Sequence, residues 1–206
     1  MTMESKVLRL QDAQLAEASE VLARAFFDDP MMMYVMPDDA QRQDVLPAFM
    51  QAGSRICLPH GEIYTTPGAV LGSANWLPPG KTELGEETMA AAGVPEVLGV
   101  MGDEAAGRFG MLMGQLGELH AQAVPPDNHW YLLILGVDPP RQGQGVGGTL
   151  IEPILRRADA ESRACYLETM KPRNVTFYKK HGFDVVVEDD TADGALHFWT
   201  MRRSPR

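Results

Sequence analysis

Residues 130 to 149 read Trp130-Tyr131-Leu132-Leu133-Ile134-Leu135-Gly136-Val137-Asp138-Pro139-Pro140-Arg141-Gln142-Gly143-Gln144-Gly145-Val146-Gly147-Gly148-Thr149. The first eight are almost continuously apolar, the pattern of a strand buried on both faces. Past the glycines, Val146, Leu150, Ile151, Ile154 and Leu155 recur at helical spacing, with Pro153 a point of bending. A strand, a glycine-rich turn and a helix together present free backbone N–H groups and a helix N-terminus to a phosphate. Glycine suits this turn because side chains would block the approach of oxygen to backbone, and because some positions need φ > 0. Arg141 adds a cation. A plain tight turn is the alternative, but it does not need Gly143, Gly145, Gly147 and Gly148 together.

Working outward, Ala164 to Glu168 reads as a short strand. Asn174 to His181 reads as a helix with Asn at its start, Lys179, Lys180 and His181 in its last turn and Gly182 beyond. Phe183 to Glu188 and Ala195 to Met201 form a hairpin around Asp193-Gly194. Upstream, Lys6 to Leu10 alternates weakly. Leu15, Ala18, Leu22, Ala25 and Phe26 make an amphipathic helix ending near Asp28-Asp29-Pro30, because the residue before proline leaves the helical region. Met31 to Met36 reads as a soft apolar linker. A second helix starts after Pro37, with Asp38 as cap and Gln41 in capping-box register. Glu62 to Thr66 and Ala69 to Leu77 pair as a hairpin about Pro67-Gly68. Residues 80 to 117 hold nine of the chain's 20 glycines. At about 1 kcal/mol per interior glycine, this region reads as two short helices held by packing, or a mobile cover. The fold class is mixed α/β, one domain over residues 1 to 206 with a Gly/Met-rich helical elaboration at about 80 to 128.

Composition removes several classes of function. The chain has 206 residues, 45% of them hydrophobic and 22% charged, as in ordinary globular proteins. Eighteen Lys+Arg against 28 Asp+Glu give a net charge of −10, which argues against a nucleic-acid partner and is compatible with a cationic small molecule. Met1 to Leu10 carries Glu4, Lys6 and Arg9 and no apolar core, so it does not read as a secretory signal. No apolar run approaches the roughly 20 residues of a membrane span. Cys57 and Cys165 are too few for a disulfide framework or a cysteine-based zinc site, and fit reduced thiols in a cytoplasmic core. No metal site is expected.

Three phosphate patterns compete for the loop. A Walker-type loop needs lysine before the Ser/Thr, and Gly148 precedes Thr149. The dinucleotide pattern G-x-G-x-x-G is met by Gly143, Gly145 and Gly148, with Glu168 lying 20 residues on. However, Asp138 to Gln142 separate the glycines from the strand, and only 63 residues follow Gly143, too few for a doubly wound nucleotide domain. The third pattern, Gln142-x-x-Gly145-x-Gly147, resembles the acetyl-CoA pyrophosphate loop of the GCN5-related N-acetyltransferases, and every specified position agrees. Leu167-Glu168-Thr169, Pro172-Arg173-Asn174, Phe177-Tyr178 and Gly182-Phe183 resemble that superfamily's second acetyl-CoA motif, particularly in its puromycin N-acetyltransferase-like branch. The resemblance covers about residues 130 to 183.

That resemblance implies a mostly antiparallel twisted sheet with a splayed central strand pair, and transfer of acetyl from acetyl-CoA to an amine. Cofactor contacts would come from Leu135, Gly136 and Val137, from Arg141, Gln142, Gly143, Gln144, Gly145, Val146, Gly147, Gly148 and Thr149, and from Asn174. A backbone N–H near Leu135 to Val137 would polarise the thioester carbonyl. Tyr178 would be general acid; a core tyrosine is the alternative reading. Glu168, ending a strand aimed at the site, is the candidate base, with His129 and His197 as near-neutral alternatives. Phe27, Asp28 and Tyr34, with the methionine run, are the candidate acceptor lining. The expected acceptor is a small-molecule primary amine, handled by a monomer or homodimer. A protein N-terminal or lysine acetyltransferase, and a non-catalytic acyl-CoA sensor, are the competing readings.

Overall fold

The computed structural model describes residues 7–59, 62–82, 84–125 and 128–206, so Met1 to Lys6 lie outside the described residues. The described strands are β1 (Leu8–Arg9), β2 (Glu62–Thr65), β3 (Gly72–Leu77), β4 (His129–Val137), β5 (Ala164–Thr169), β6 (Asp184–Asp190) and β7 (His197–Arg203). They form one sheet in the order β1-β2-β3-β4-β5-β7-β6. Every neighbouring pair is antiparallel except β4 with β5. This is the mixed, mostly antiparallel sheet expected. The helices are α1 (Leu15–Phe26), α2 (Pro30–Val35), α3 (Asp39–Cys57), α4 (Glu86–Ala91), α5 (Val94–Met101), α6 (Asp103–Ala123), α7 (Val146–Ala160) and α8 (Pro172–Lys180). No helix among the described residues is long and apolar enough to cross a membrane. Cys57 and Cys165 are buried and unpaired, and burial pushes the Cys165 thiol up to about 12.

The central parallel pair is short. Only His129, Trp130 and Tyr131 of β4 pair with Ala164, Cys165 and Tyr166 of β5. Beyond Tyr131 and Tyr166 the two strands part, and the sheet forks. On its other side β4 stays paired with β3, but the register slips between Asn75 and Trp76, which face Ile134 and Leu132. The extra residue, Leu133, is a bulge that resets which side chains face which layer. Trp130, Leu132, Leu135 and Val137 pack with Leu150, Ile151 and Ile154 of α7. Ile134 packs in the α1–α3 layer with Leu22 and Met50.

Gly136 is where α1 meets this strand. A Cβ added there would stand 2.5 Å from Leu22 Cδ2 and 3.2 Å from both Ala25 Cβ and Phe26 Cε2. Gly136→Val should therefore cost about 1–3 kcal/mol through overpacking, read as a lower denaturation midpoint. An unchanged midpoint would mean that α1 is free to retreat.

Three local expectations are corrected. The Met31 to Met36 linker is helix α2: Asp29 is its N-cap, accepting from Met31 N at 3.0 Å, and Pro30 is its first residue. Asp-Pro here starts a helix as well as ending one, since proline is pre-set for the first helical position. Residues 80 to 117 hold not two short helices but α4, α5 and most of the 21-residue α6. Helix α8 starts at Pro172, so Asn174 lies inside its first turn; its amide donates to Thr169 Oγ1 at 3.0 Å and does not cap. The Asp38 cap forms as expected, accepting from Gln41 N at 2.7 Å.

Candidate active site

The loop before α7 leaves backbone donors open at the helix start. Residues Pro139–Arg141 make a single 3-10 turn, then Gly143 and Gly145 take φ of +74° and +83°, the left-handed region. The Gln142 amide reaches back to Val137 O at 3.0 Å and ties the loop to the end of β4. The first backbone bond of α7 is Thr149 N to Gly145 O, which leaves the N–H groups of Val146, Gly147 and Gly148 without an intrahelical acceptor. No side chain caps this end. Val146 and Gly147, with the positive end of the helix dipole, border one place.

That place is a cleft of about 540 Å³ between α7, α8, the end of β4 and the end of α1. Leu135, Gly136, Val137, Arg141, Gln142, Gly143, Gly145, Val146, Gly147, Asn174 and Tyr178 line it. Gln144, Gly148 and Thr149 do not. Gln144 bonds Pro140 O, Gly148 lies against His181, and Thr149 Oγ1 bonds Gly145 O. The lining also holds Arg173 and Phe177, which lie in the second motif but are not among the expected contacts, and Asp29, Lys171 and Lys180, which the motifs do not name. Arg173, Phe177 and Lys180 repeat at the i, i+4, i+7 spacing of one helix face, a signal present in the sequence. With Arg141 and Lys171 they bring four cations to one cleft of a chain whose net charge is −10.

Tyr178 is 6% exposed, with its ring against Phe177 and Phe183. Its hydroxyl meets no hydrogen-bond partner among the described residues. Burial, and then the charge of Asp29, raise its pKa, so the phenol keeps its proton at neutral pH. Asp29 is buried and paired with Lys171 at 3.1 Å. Of the acceptor candidates, Phe27 is partly buried beneath the Arg42 guanidinium. Asp28 is exposed and outside the cleft; its neighbour Asp29 takes the inward position. The Tyr34 hydroxyl donates to Asp193 in the β6–β7 turn at 2.8 Å.

Glu168 lies on the opposite face of the sheet from α7. Along β5, Cys165 and Leu167 join the α7 core, so Tyr166 and Glu168 point the other way, toward α6. Tyr131 Oη donates to Glu168 Oε2 at 2.9 Å, a bond that bridges β4 and β5 at the fork. Burial pushes the Glu168 carboxyl up to about 7, against the opposing pull of the Tyr131 and Tyr166 hydroxyls. The candidate histidines are elsewhere. His129 is buried, with Nδ1 on Pro125 O and Nε2 on His120 Nε2 at 2.6 Å, and burial lowers its pKa. His197 is exposed and paired with Asp190 and Glu188. Neither lines the cleft.

Comparison with known proteins converges on one family. Residues 105–185, from α6 into β6 and including the loop and α8, match the acetyltransferase (GNAT) domain model. An uncharacterized N-acetyltransferase of Schizosaccharomyces pombe is 26% identical over 180 residues, covering 85% of this chain and 72% of the relative. The fold superposes on a Corynebacterium glutamicum structure described as histone acetyltransferase HPA2 and related acetyltransferase, with TM-score 0.71, 22% identity and coverage of 97% and 96% of the two chains. Arylalkylamine N-acetyltransferase 2 of Aedes aegypti superposes with TM-score 0.64, 17% identity and coverage of 97% and 98%. The sequence match falls on the elements that build the cleft and the fold match spans nearly the whole chain; together they indicate the GCN5-related N-acetyltransferase superfamily and support an acetyl-CoA-dependent acetyltransferase.

Proposed function

We propose that the protein moves an acetyl group from acetyl-CoA to the primary amine of a small molecule, the whole chain acting as one unit. The observation that carries this is the cation-lined cleft at the fork of β4 and β5, with the Tyr178 hydroxyl in its wall. The uncapped N–H groups of Val146 and Gly147 and the four cations suit the phosphates of CoA. Residues 135 to 137 and Asn174 line the way from there to the fork, where a pantetheine arm would run. An amine nitrogen attacks the thioester carbonyl carbon, the C–S bond breaks, and Tyr178 gives its proton to the departing thiolate. Glu168, on the other face, takes the proton of the incoming ammonium, and the proton that the nitrogen sheds after attack restores the Tyr178 hydroxyl. Tyr178 and Glu168 face opposite sides of the sheet, so they share a reaction only through the gap between the strands.

A carboxylate at about 7 is a better-matched base for an ammonium near 10 than an ordinary glutamate near 4.3. Two features support a small acceptor over a polypeptide. Helix α6 lies over the Glu168 side, and its Gln115 bonds Asp190 O and Ala192 N of the β6–β7 hairpin. Tyr34 and Asp193 close the same rim. A polypeptide acceptor needs an open groove there. The resemblance to puromycin-modifying enzymes points the same way without naming the acceptor.

The test is release of free thiol from acetyl-CoA against a panel of small amines and peptides. We expect turnover with small primary amines; turnover confined to peptides would overturn the small-molecule reading, and acetyl-CoA binding without turnover would favour a sensor. Because the carboxylate is the competent form, kcat/KM should rise about tenfold per pH unit up to about 7 and then level. Glu168→Gln should abolish that rise and lower kcat/KM by about 10²-fold. An unchanged profile would assign the proton to water.

A further inference from the structure

Beneath α6, four polar side chains from three adjacent strands share one face of the sheet. Glu168 of β5 stands opposite Thr200 of β7, and Tyr166, two residues before Glu168, stands beside Tyr131 of β4. Tyr131 bonds Glu168. The other two are anomalous: Tyr166 and Thr200 are both 0% exposed, and the Tyr166 hydroxyl is near enough to Glu168 and Thr200 to feel both, yet neither Tyr166 Oη nor Thr200 Oγ1 makes a well-formed hydrogen bond among the described residues. Buried hydroxyls almost always find partners, so two orphans flanking one carboxylate ask for a ligand.

We propose that Glu168, Tyr166 and Thr200 together seat the acceptor's ammonium, and that this seat selects a primary monoamine carried on an apolar body. The inference rests on the acetyl-transfer reading above and adds the class of acceptor. A primary ammonium carries three N–H donors and no acceptor; one carboxylate and two hydroxyl oxygens offer three acceptors. A secondary amine would leave one hydroxyl unmet, and a quaternary one all of them. The Tyr166 and Tyr131 rings, 6.0 Å apart, add faces that attract a cation. His120 stacks on Tyr166 at 4.2 Å, and burial keeps it neutral, its pKa lowered to about 4, so it does not repel the ligand. Arg202, the cation facing Tyr166 in register, is exposed to solvent. Beside the seat, Leu112 and Leu116 of α6 pack with Met170, Leu196 and Phe198. That cluster is buried and carries no charge to pair a second ammonium, which disfavours polyamines.

The test compares phenethylamine, N-methylphenethylamine and spermidine as acceptors for the full chain and for Thr200→Val and Tyr166→Phe, with acetyl-CoA affinity and melting temperature measured on each. The wild type should prefer phenethylamine. Each substitution should raise KM for it by about tenfold or more, the worth of a hydrogen bond to a charged group, and narrow its lead over N-methylphenethylamine. Acetyl-CoA affinity should stay unchanged, and melting temperature unchanged or raised, because the hydroxyl removed makes no well-formed hydrogen bond among the described residues. Turnover with KM unmoved by either substitution, or a preference for spermidine, overturns the seat and leaves acetyl transfer standing. Loss of acetyl-CoA binding, or no turnover with any amine, overturns acetyl transfer and the seat with it.

Discussion

Tyr178→Phe should lower kcat for acetyl transfer by about 10²- to 10³-fold, the range a positioned general acid contributes, while leaving affinity for acetyl-CoA within about twofold. The asymmetry follows from the environment of the phenol. Its ring is held by Phe177 and Phe183, and phenylalanine keeps those contacts. The lost oxygen has no partner among the described residues, so no bond breaks and stability should not fall. What disappears is a proton held ready by burial and by the nearby Asp29 charge. The pairing of a large kcat loss with an unchanged Kd, from steady-state kinetics and calorimetry, separates this role from a core tyrosine, whose loss would move stability and spare kcat. A kcat within threefold of wild type would mean that water protonates the thiolate.

Gly145→Trp should weaken acetyl-CoA binding by at least about 10²-fold. Gly145 holds φ of +83°, where an L residue costs roughly 1–2 kcal/mol. It is also the residue before α7, whose first N–H groups are uncapped. A Cβ there meets nothing within 4 Å, so the side chain leaves the backbone without a clash. The space it takes is that in front of the uncapped N–H groups, and the effect should fall on the ligand and not on folding beyond the local strain. Calorimetry of acetyl-CoA and NADH against both proteins reads this directly. Micromolar acetyl-CoA binding lost in the variant, with no NADH binding in either, is the expected result. NADH binding in its place would revive the dinucleotide reading of Gly143, Gly145 and Gly148.

Much of this site is visible in the amino-acid order because its parts are local. The strand from Trp130, the glycines and the α7 stripe are contiguous, and Asn174 with Tyr178 follow on one helix. What escapes is what depends on non-local pairing or on the exact turn at an element's end. That Asp29, not Asp28, turns inward is decided by which residue caps α2. Lys171 enters the cleft from the residue before Pro172, a position no periodicity marks. The neighbourhood of Glu168 is set by three strands distant in the chain: nothing near it in sequence announces Tyr131 or Thr200, and only the pairing of β5 with β4 and β7 brings them together. The length of α6 was hidden by its composition, since glycine lowers helix propensity while burial of Leu112 and Leu116 restores it from outside the helix.

Those glycines have a consequence of their own. Gly107, Gly110, Gly114 and Gly117 all face solvent along α6, none has positive φ, and none is crowded by a neighbour. Alanine would fit at each. Relative to such a helix, four glycines cost about 3–4 kcal/mol, which multiplies the population of its unwound state by a factor of roughly 10² to 10³. The segment that covers Glu168 therefore spends far more time open than its length suggests. A hatch kept weak in this way can admit a molecule to a half-buried carboxylate and shut again without any dedicated moving part.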